Sequence, residues 1–273
     1  MAFGDEIVFT LFTNDAGLAA RADAAGIDRV GVDLERIGKA ERQAGLGCRL
    51  SDHRPSDLVS LAGALERARL FARTNPPHPG LKEEVGHCLA LGASVLMLPM
   101  FETPAHAESF VEMVGGRAEV VLLVETPEAA RRLPDIVRVG GVAEIHVGLN
   151  DLALGLGAGS HFEVLASDLV DRLSSVTREA GLPFGVGGVG RLGDDRLPVP
   201  ADLVYAQYPR LGAMRALVSR VFLGPEPIEV DLVTEVRRTR DRLTFWSMQP
   251  PAALEAARDR LRAAPRLRPT VQV

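Results

Sequence analysis

Residues 120–157, VVLLVETPEAARRLPDIVRVGGVAEIHVGLNDLALGLG, contain a complete strand–helix–strand unit, and this constrains the fold more than any other feature of the chain. VVLLV is a short β-branched and Leu run of the kind found in strands buried on both faces. Thr126-Pro127 then opens a helix, with Pro where a missing N–H costs nothing. Ala129, Leu133, Ile136 and Val137 give that helix an apolar stripe, and Gly140-Gly141 ends it. EIHVGL is the second strand. Strands joined through one helix lie side by side and point the same way. Glu125 and Asp151 sit where the two strands end, so they become neighbours at one rim of a parallel sheet. Taken singly, each has a bland reading: a helix N-terminal acid for Glu125 and a turn or cap residue for Asp151. Taken together, two acidic side chains at such a rim suit a hard divalent cation, with water and substrate completing its shell.

The same unit recurs along the chain. Strands are expected at 7–12, 29–34, 70–73, 94–99, 120–124, 144–149, 183–190 and 202–207. Helices are expected between them, including 162–180, with one over 211–221 after the eighth strand. Eight strands with repeats of roughly 25 to 35 residues predict an α/β fold of the (β/α)8 TIM-barrel type over 1–223. A helical extension follows at 224–273, covering the barrel or a neighbouring subunit. An open doubly wound sheet is the alternative, but no GxGxxG opens a helix after the first strand. Gly187-Gly188-Val189-Gly190 looks like a phosphate loop and equally like close packing at a strand end.

Net charge is -5 with a pI near 5.7, so there is no basic footprint for nucleic acid. Cys48 and Cys88 form no CxxC and suggest a reduced, cytoplasmic protein without disulfides or a Cys-based zinc site. No segment reads as a signal peptide, and the longest apolar run, 89–101, is too short to span a bilayer.

Barrel enzymes carry their chemistry at the C-terminal ends of the strands. Those positions read Glu35/Arg36, Arg73, Pro99, Glu125, Asp151, Gly187 and Gln207. A guanidinium at the end of strand three has two readings: an ion pair to Asp33 or Glu35, or a bidentate clamp for an oxyanion or carboxylate beside the metal.

Five motifs in order, DLER (33–36), ARTNPP (72–77), GASVLMLPM (92–100), LLVETPEA (122–129) and GLNDLALGLG (148–157), resemble the HpcH/HpaI aldolase and citrate lyase β-subunit family over residues 7 to 223. The resemblance implies that Glu125 and Asp151 bind Mg2+ or Mn2+. It implies that Arg73 contacts the C2 oxygen of pyruvate and stabilises its enolate. It places the backbone of Gly148, Leu149, Asn150 and Asp151 against the pyruvate carboxylate. The implied partners are a pyruvate- or oxaloacetate-like keto acid and an aldehyde, and the implied assembly is a homo-oligomer, trimer or hexamer.

Two positions depart from the family pattern. The aldolase branch carries a His, and the citrate-lyase branch an Asp, where this chain has Arg36. The aldolase branch has a Gln where this chain has Leu123. His53, in the long loop after strand two, is the candidate replacement base, since an imidazole titrates near neutrality; a solvated loop His is the other reading. His78 is a second candidate, His146 lies on strand six, and His87, His106 and His161 read as structural or exposed. The leading reading is a metal-dependent aldolase acting on a 4-hydroxy-2-oxoacid. The alternatives are a CoA-thioester lyase and a keto-acid-binding barrel without turnover.

Overall fold

The computed structural model describes residues 1–39, 51–224 and 227–263; Arg42, Cys48 and the basic tail lie outside them. Eight parallel strands close into a barrel in simple sequence order. They are β1 Val8–Phe12, β2 Arg29–Asp33, β3 Arg69–Arg73, β4 Val95–Leu98, β5 Glu119–Val124, β6 Val142–Val147, β7 Phe184–Val189 and β8 Arg215–Val218. Phe12, Phe71, Val95, Met97, Val121 and Leu123 fill the barrel interior. A second, larger apolar layer lies between strands and helices. Side chains alternate along a strand, so the inward phase of β5 runs Glu119, Val121, Leu123 and then, one step past the strand, Glu125. Asp33 pairs in register with Arg73 across β2 and β3.

Local chemistry sets where the helices begin. Thr103 and Thr126 cap the helices Pro104–Val114 and Pro127–Ile136, their hydroxyls accepting from the amides of His106 and Ala129, with Pro in the first turn of each.

The structure corrects the expected eighth strand. Residues 202–207 are helical, in Ala201–Tyr205 and Gln207–Leu211, and β8 lies at 215–218 inside the expected helix 211–221. Pro200 sits at the helix N-cap and Gly212, at φ 64°, ends the second helix. Both are boundary signals that the Val and Tyr content of DLVYAQ outweighed. β8 is only four residues long, too short for a periodic pattern to show. Gln207 is accordingly a buried helix residue bonded to Leu203, not a rim residue. The expected helix 162–180 is two, His161–Leu165 and Asp168–Glu179.

The C-terminal helices Leu232–Ser247 and Pro251–Arg262 pack on their own barrel. Arg240 reaches the carbonyls of Gly4, Ile7 and Gly26 and the carboxylate of Asp28. Arg258 donates to the carbonyl of Ala166 and to Asp168. Among the described residues no helix is long and apolar enough to cross a membrane.

Candidate active site at the C-terminal rim of the barrel

Glu125 ends β5 and is 3% exposed. Its Oε1 accepts the Met100 amide at 3.0 Å, and its Oε2 lies over the α-carbon of Gly148, where a Cβ would come within 2.5 Å of it. Met100 holds that amide in place at φ 51°, the one non-glycine residue in the left-handed region among those described. A strained residue bonded to a buried carboxylate is typical of a functional rim. No Lys, Arg or His among the described residues comes within ion-pair distance of Glu125. Burial, reinforced by the nearby charge of Glu35, therefore pushes its carboxyl well above the usual range, against the opposing pull of Arg73. Asp151 also acts on Glu125 electrostatically, so the two acids share one environment. Asp151 lies past the end of β6, as expected. It sits in the first turn of the helix Leu149–Leu156 and is half-buried.

Gly148 caps that helix, but its own amide is spent on the carbonyl of Val124. The amides of Leu149 and Asn150 follow in the first turn, where an α-helix supplies no acceptor. Gly187 packs rather than binds: at φ 50°, a Cβ there would meet Leu149 Cδ1 at 2.6 Å.

Arg73 makes the ion pair considered for it. Its Nε and Nη2 clasp the two oxygens of Asp33 at 2.8 and 2.7 Å, and Nη2 lies 3.3 Å from Glu35. Nη1 has no partner among the described residues, and the side chain is 13% exposed. Asp33 thus fixes the fork, and the Phe12 ring centroid lies 5.1 Å from its guanidinium carbon. Burial alone would raise the Asp33 carboxyl, but Arg73 and then Lys39 hold it well below the ordinary range.

Lys39 was not singled out from the sequence. Its ammonium lies 2.7 Å from Asp33 Oδ2 and 3.2 Å from Glu35 Oε2, and the residue is 4% exposed. A lone Lys in a polar segment has no periodicity to reveal it. The available signal was composition: Lys39 and Lys82 are the only lysines, against 29 arginines.

His53 is at this rim, but its geometry is that of a donor. Nδ1 accepts the Asp33 amide at 2.9 Å. The ring is therefore neutral with its proton on Nε2, a tautomer assigned from this bond. Burial lowers its affinity for a proton further, although Asp33 and then Asp52 and Asp57 work against that. Nε2–H can polarise an oxygen; neither nitrogen can take a proton while the Asp33 bond holds. Arg36 turns away from the centre: its Nη2 donates to the carbonyl of His53, and its amide to Asn75 Oδ1. Asn75 is in turn clamped by Glu84, which also holds His78. His78 thus braces the β3 loop. His146 points inward and is buried between Glu144 and the carbonyl of Gly187.

Among the described residues no three His, Cys, Asp or Glu side chains converge as a ready cage for a metal. The site nevertheless fits a hard divalent ion. Asp33, Glu35, Glu125 and Asp151 gather at this rim with Arg73 and Lys39. The acid with no cation at ion-pair distance, Glu125, is the one beside Asp151. Buried charges are paired or coordinate metals.

Comparison with known proteins agrees with this architecture. An HpcH/HpaI aldolase/citrate lyase family protein from Burkholderia cenocepacia J2315 superposes with a TM-score of 0.63 at 20% identity, covering 88% of this chain and 95% of that one. RipC from Yersinia pestis gives 0.59 at 18% identity over 91% and 98%. The citrate synthase SbnG gives 0.59 at 18% over 79% and 86%. No curated protein matches. Residues 7–185 match the family model for HpcH/HpaI aldolase/citrate lyase, and the chain belongs to that family.

Proposed function

We propose that the protein is a divalent-metal-dependent carbon–carbon lyase that forms or cleaves a 4-hydroxy-2-oxoacid through the enolate of pyruvate. The observation that carries this reading is Glu125, a buried carboxylate with one backbone N–H and no cation at ion-pair distance among the described residues, within the electrostatic reach of Asp151 and Arg73. Glu125 and Asp151 would hold Mg2+ or Mn2+, which when bound supplies Lewis-acid polarisation of the keto oxygen.

The chain's own residues bind and orient the keto acid, and the methyl proton passes to solvent water as the enolate forms. Arg73 Nη1 donates to the C2 oxygen as negative charge develops there. Because Asp33 fixes the fork in advance, the donor needs no reorganisation at that moment. The first-turn amides of Leu149 and Asn150 take the pyruvate carboxylate, where the helix N-terminus favours an anion. His53 Nε2–H polarises the carbonyl oxygen of the aldehyde partner in the forming direction. Family membership supports the lyase class, and RipC and SbnG, as similar folds, are compatible with it.

The test is exchange of the pyruvate methyl protons with D2O in the presence of Mn2+ or Mg2+. Exchange by the wild type, and its loss in Arg73→Met, is expected. No exchange with any divalent metal, together with no cleavage of any 4-hydroxy-2-oxoacid, would overturn the proposal.

A further inference from the structure

The N-terminal mouth of the barrel, opposite the candidate active site, holds an open cavity of about 500 Å3 whose walls carry Arg29, Arg67, Arg69 and Arg215. Arg29, Arg69 and Arg215 are the first residues of β2, β3 and β8, and Glu119 is the first of β5. We propose that this cavity is a binding site for a small anion carrying a phosphate or diphosphate group. Arg29 and Arg69 begin the strands that end, four residues on, in Asp33 and Arg73. At about 3.3 Å per residue the two sites are about 13 Å apart, so this inference does not depend on the metal reading.

Internal pairing leaves donors over. Arg29 directs its two terminal nitrogens at Glu144 and Glu119. Arg69 directs its own at Glu119 and the carbonyl of Ser94. Arg215 uses Nε and Nη1 on Glu144 and the carbonyl of Met214. Among the described residues, Nε of Arg29, Nε of Arg69 and Nη2 of Arg215 have no acceptor, and each is reached by solvent. Arg67 goes further, with no carboxylate at ion-pair distance of its guanidinium among the described residues. The carboxylate of Asp23, 4% exposed, accepts the amides of Glu66, Arg67 and Ala68 and so fixes the bend that carries it. Its Nη2 donates to the carbonyls of Asp23 and Ala24, which leaves Nε and Nη1. A guanidinium held in place by its own bend, without an acid, is pre-organised for an external anion.

Register and residue type point to phosphate. Arg29 and Arg69 stand directly opposite each other across β2 and β3, an arrangement of like charges that costs stability. Glu119 bridges their terminal nitrogens, and a bound anion would bridge the nitrogens left over. The other carboxylates lining the cavity are already engaged: Asp23 by its bend, and Asp28 by the Phe9 amide and Arg240. Guanidinium forks match phosphate oxygens. Donors that reach in from three strands and a bend exceed the two oxygens of a carboxylate, whereas a phosphate group offers three.

Calorimetric titration of the full chain with inorganic pyrophosphate, at physiological ionic strength, tests this without reading activity. Divalent ions are removed first, because pyrophosphate would chelate them. The wild type is expected to bind one pyrophosphate per chain, and to bind inorganic phosphate and succinate more weakly. Arg67→Gln, outside the strands, should lower the affinity by about tenfold or more, the worth of one hydrogen bond to a charged group. Arg215→Lys, which keeps a cation beside Glu144, should do the same. Arg131→Gln, on the exposed face of the helix Pro127–Ile136, should leave it unchanged. Melting curves establish that each variant is folded, and Arg67→Gln decides alone if the lysine variant is not. No saturable binding of pyrophosphate by the wild type, or binding that either folded cavity variant leaves unchanged, would overturn the proposal. Succinate bound as tightly as pyrophosphate would overturn it too, because the site would then be one for carboxylates.

Discussion

Glu125 is held by one amide on one side and a glycine on the other, and the glycine gives the sharper test. Gly148 has an ordinary φ of -84°, so no backbone strain demands glycine there. Space does: a Cβ would lie 2.5 Å from Glu125 Oε2 and 2.7 Å from its Cβ, and the latter cannot swing aside. Gly148→Ala should cost about 1–3 kcal/mol of stability, the usual cost of overpacking, and weaken Mn2+ binding at least tenfold by displacing the carboxylate. A calorimetric titration of the folded variant checks it. At this scale the sequence was informative where a residue terminates a strand. Glu125 and Arg73 were legible because counting to the end of β5 and β3 is enough to place them. Asp151 was legible as a neighbour of Glu125 but not as a helix residue, because Gly-Leu-Asn-Asp reads as a turn. His53 was legible as a rim residue, whereas its tautomer depends on an amide contributed by Asp33, twenty residues earlier in the chain.

Elements were legible where their boundaries carry chemistry. The Thr-Pro openings at 103 and 126 marked two helices correctly, because a capping hydroxyl and a pre-set φ act locally. The eighth strand was missed because Ala201–Tyr205 is buried by tertiary contacts rather than by period. Tyr205 bonds the carbonyl of Gly190 and Thr239, and Asp202 is clasped by Arg242 and Trp246. Thr239, Arg242 and Trp246 lie on the extension, so the extension and the barrel wall fold as one unit. Arg240 is the strongest link between them, with four acceptors at 2.8 to 3.0 Å on residues 4 to 28. Its guanidinium also lies over the Phe9 ring, 4.6 Å from the centroid. Arg240→Ala should therefore lower stability by about 2–4 kcal/mol, since several part-buried acceptors lose a charged donor together. Urea unfolding should show a lower midpoint with an unchanged slope. The short helix His161–Leu165 yields a pH prediction. Burial depresses the His161 imidazole from 6.5 to about 4. Above pH 6.5 the ring is neutral whether the chain is folded or not. As pH falls through 6.5 towards 4 the unfolded chain takes the proton first, so stability is lost. The loss should reach about 2–3 kcal/mol near pH 4, and His161→Gln should flatten the melting temperature over that window.

The barrel as a whole is charged at both ends, and the two ends are built to opposite purposes. At the N-terminal end, Glu144 accepts from Arg29 at 2.6 Å and Arg215 at 3.2 Å, with His146 3.6 Å away and Arg29 also reaching Glu119. Burial works to raise the Glu144 carboxyl, but His146 and Arg29 outweigh it and hold it below the ordinary range. That stabilisation is present above the unfolded carboxylate pKa and is lost as pH falls below it. At the C-terminal end Glu125 is raised rather than lowered. One end pairs its buried carboxylate for stability, and the other holds one whose ionised form burial disfavours. Two substitutions should separate these purposes in opposite directions. Glu144→Gln strands two arginines and should cost about 3 kcal/mol, as removal of one partner from a buried ion pair does. It should leave Mn2+ affinity of the folded protein within about twofold. Glu125→Gln should abolish Mn2+ binding and raise the stability of the metal-free protein by about 1–2 kcal/mol, because it replaces a carboxyl whose ionised form burial disfavours with a neutral amide. Paired melting curves and Mn2+ titrations on the two variants decide it. If Glu125→Gln destabilises the metal-free protein as much as Glu144→Gln does, the buried carboxyl at the rim is structural and not held in reserve for an ion.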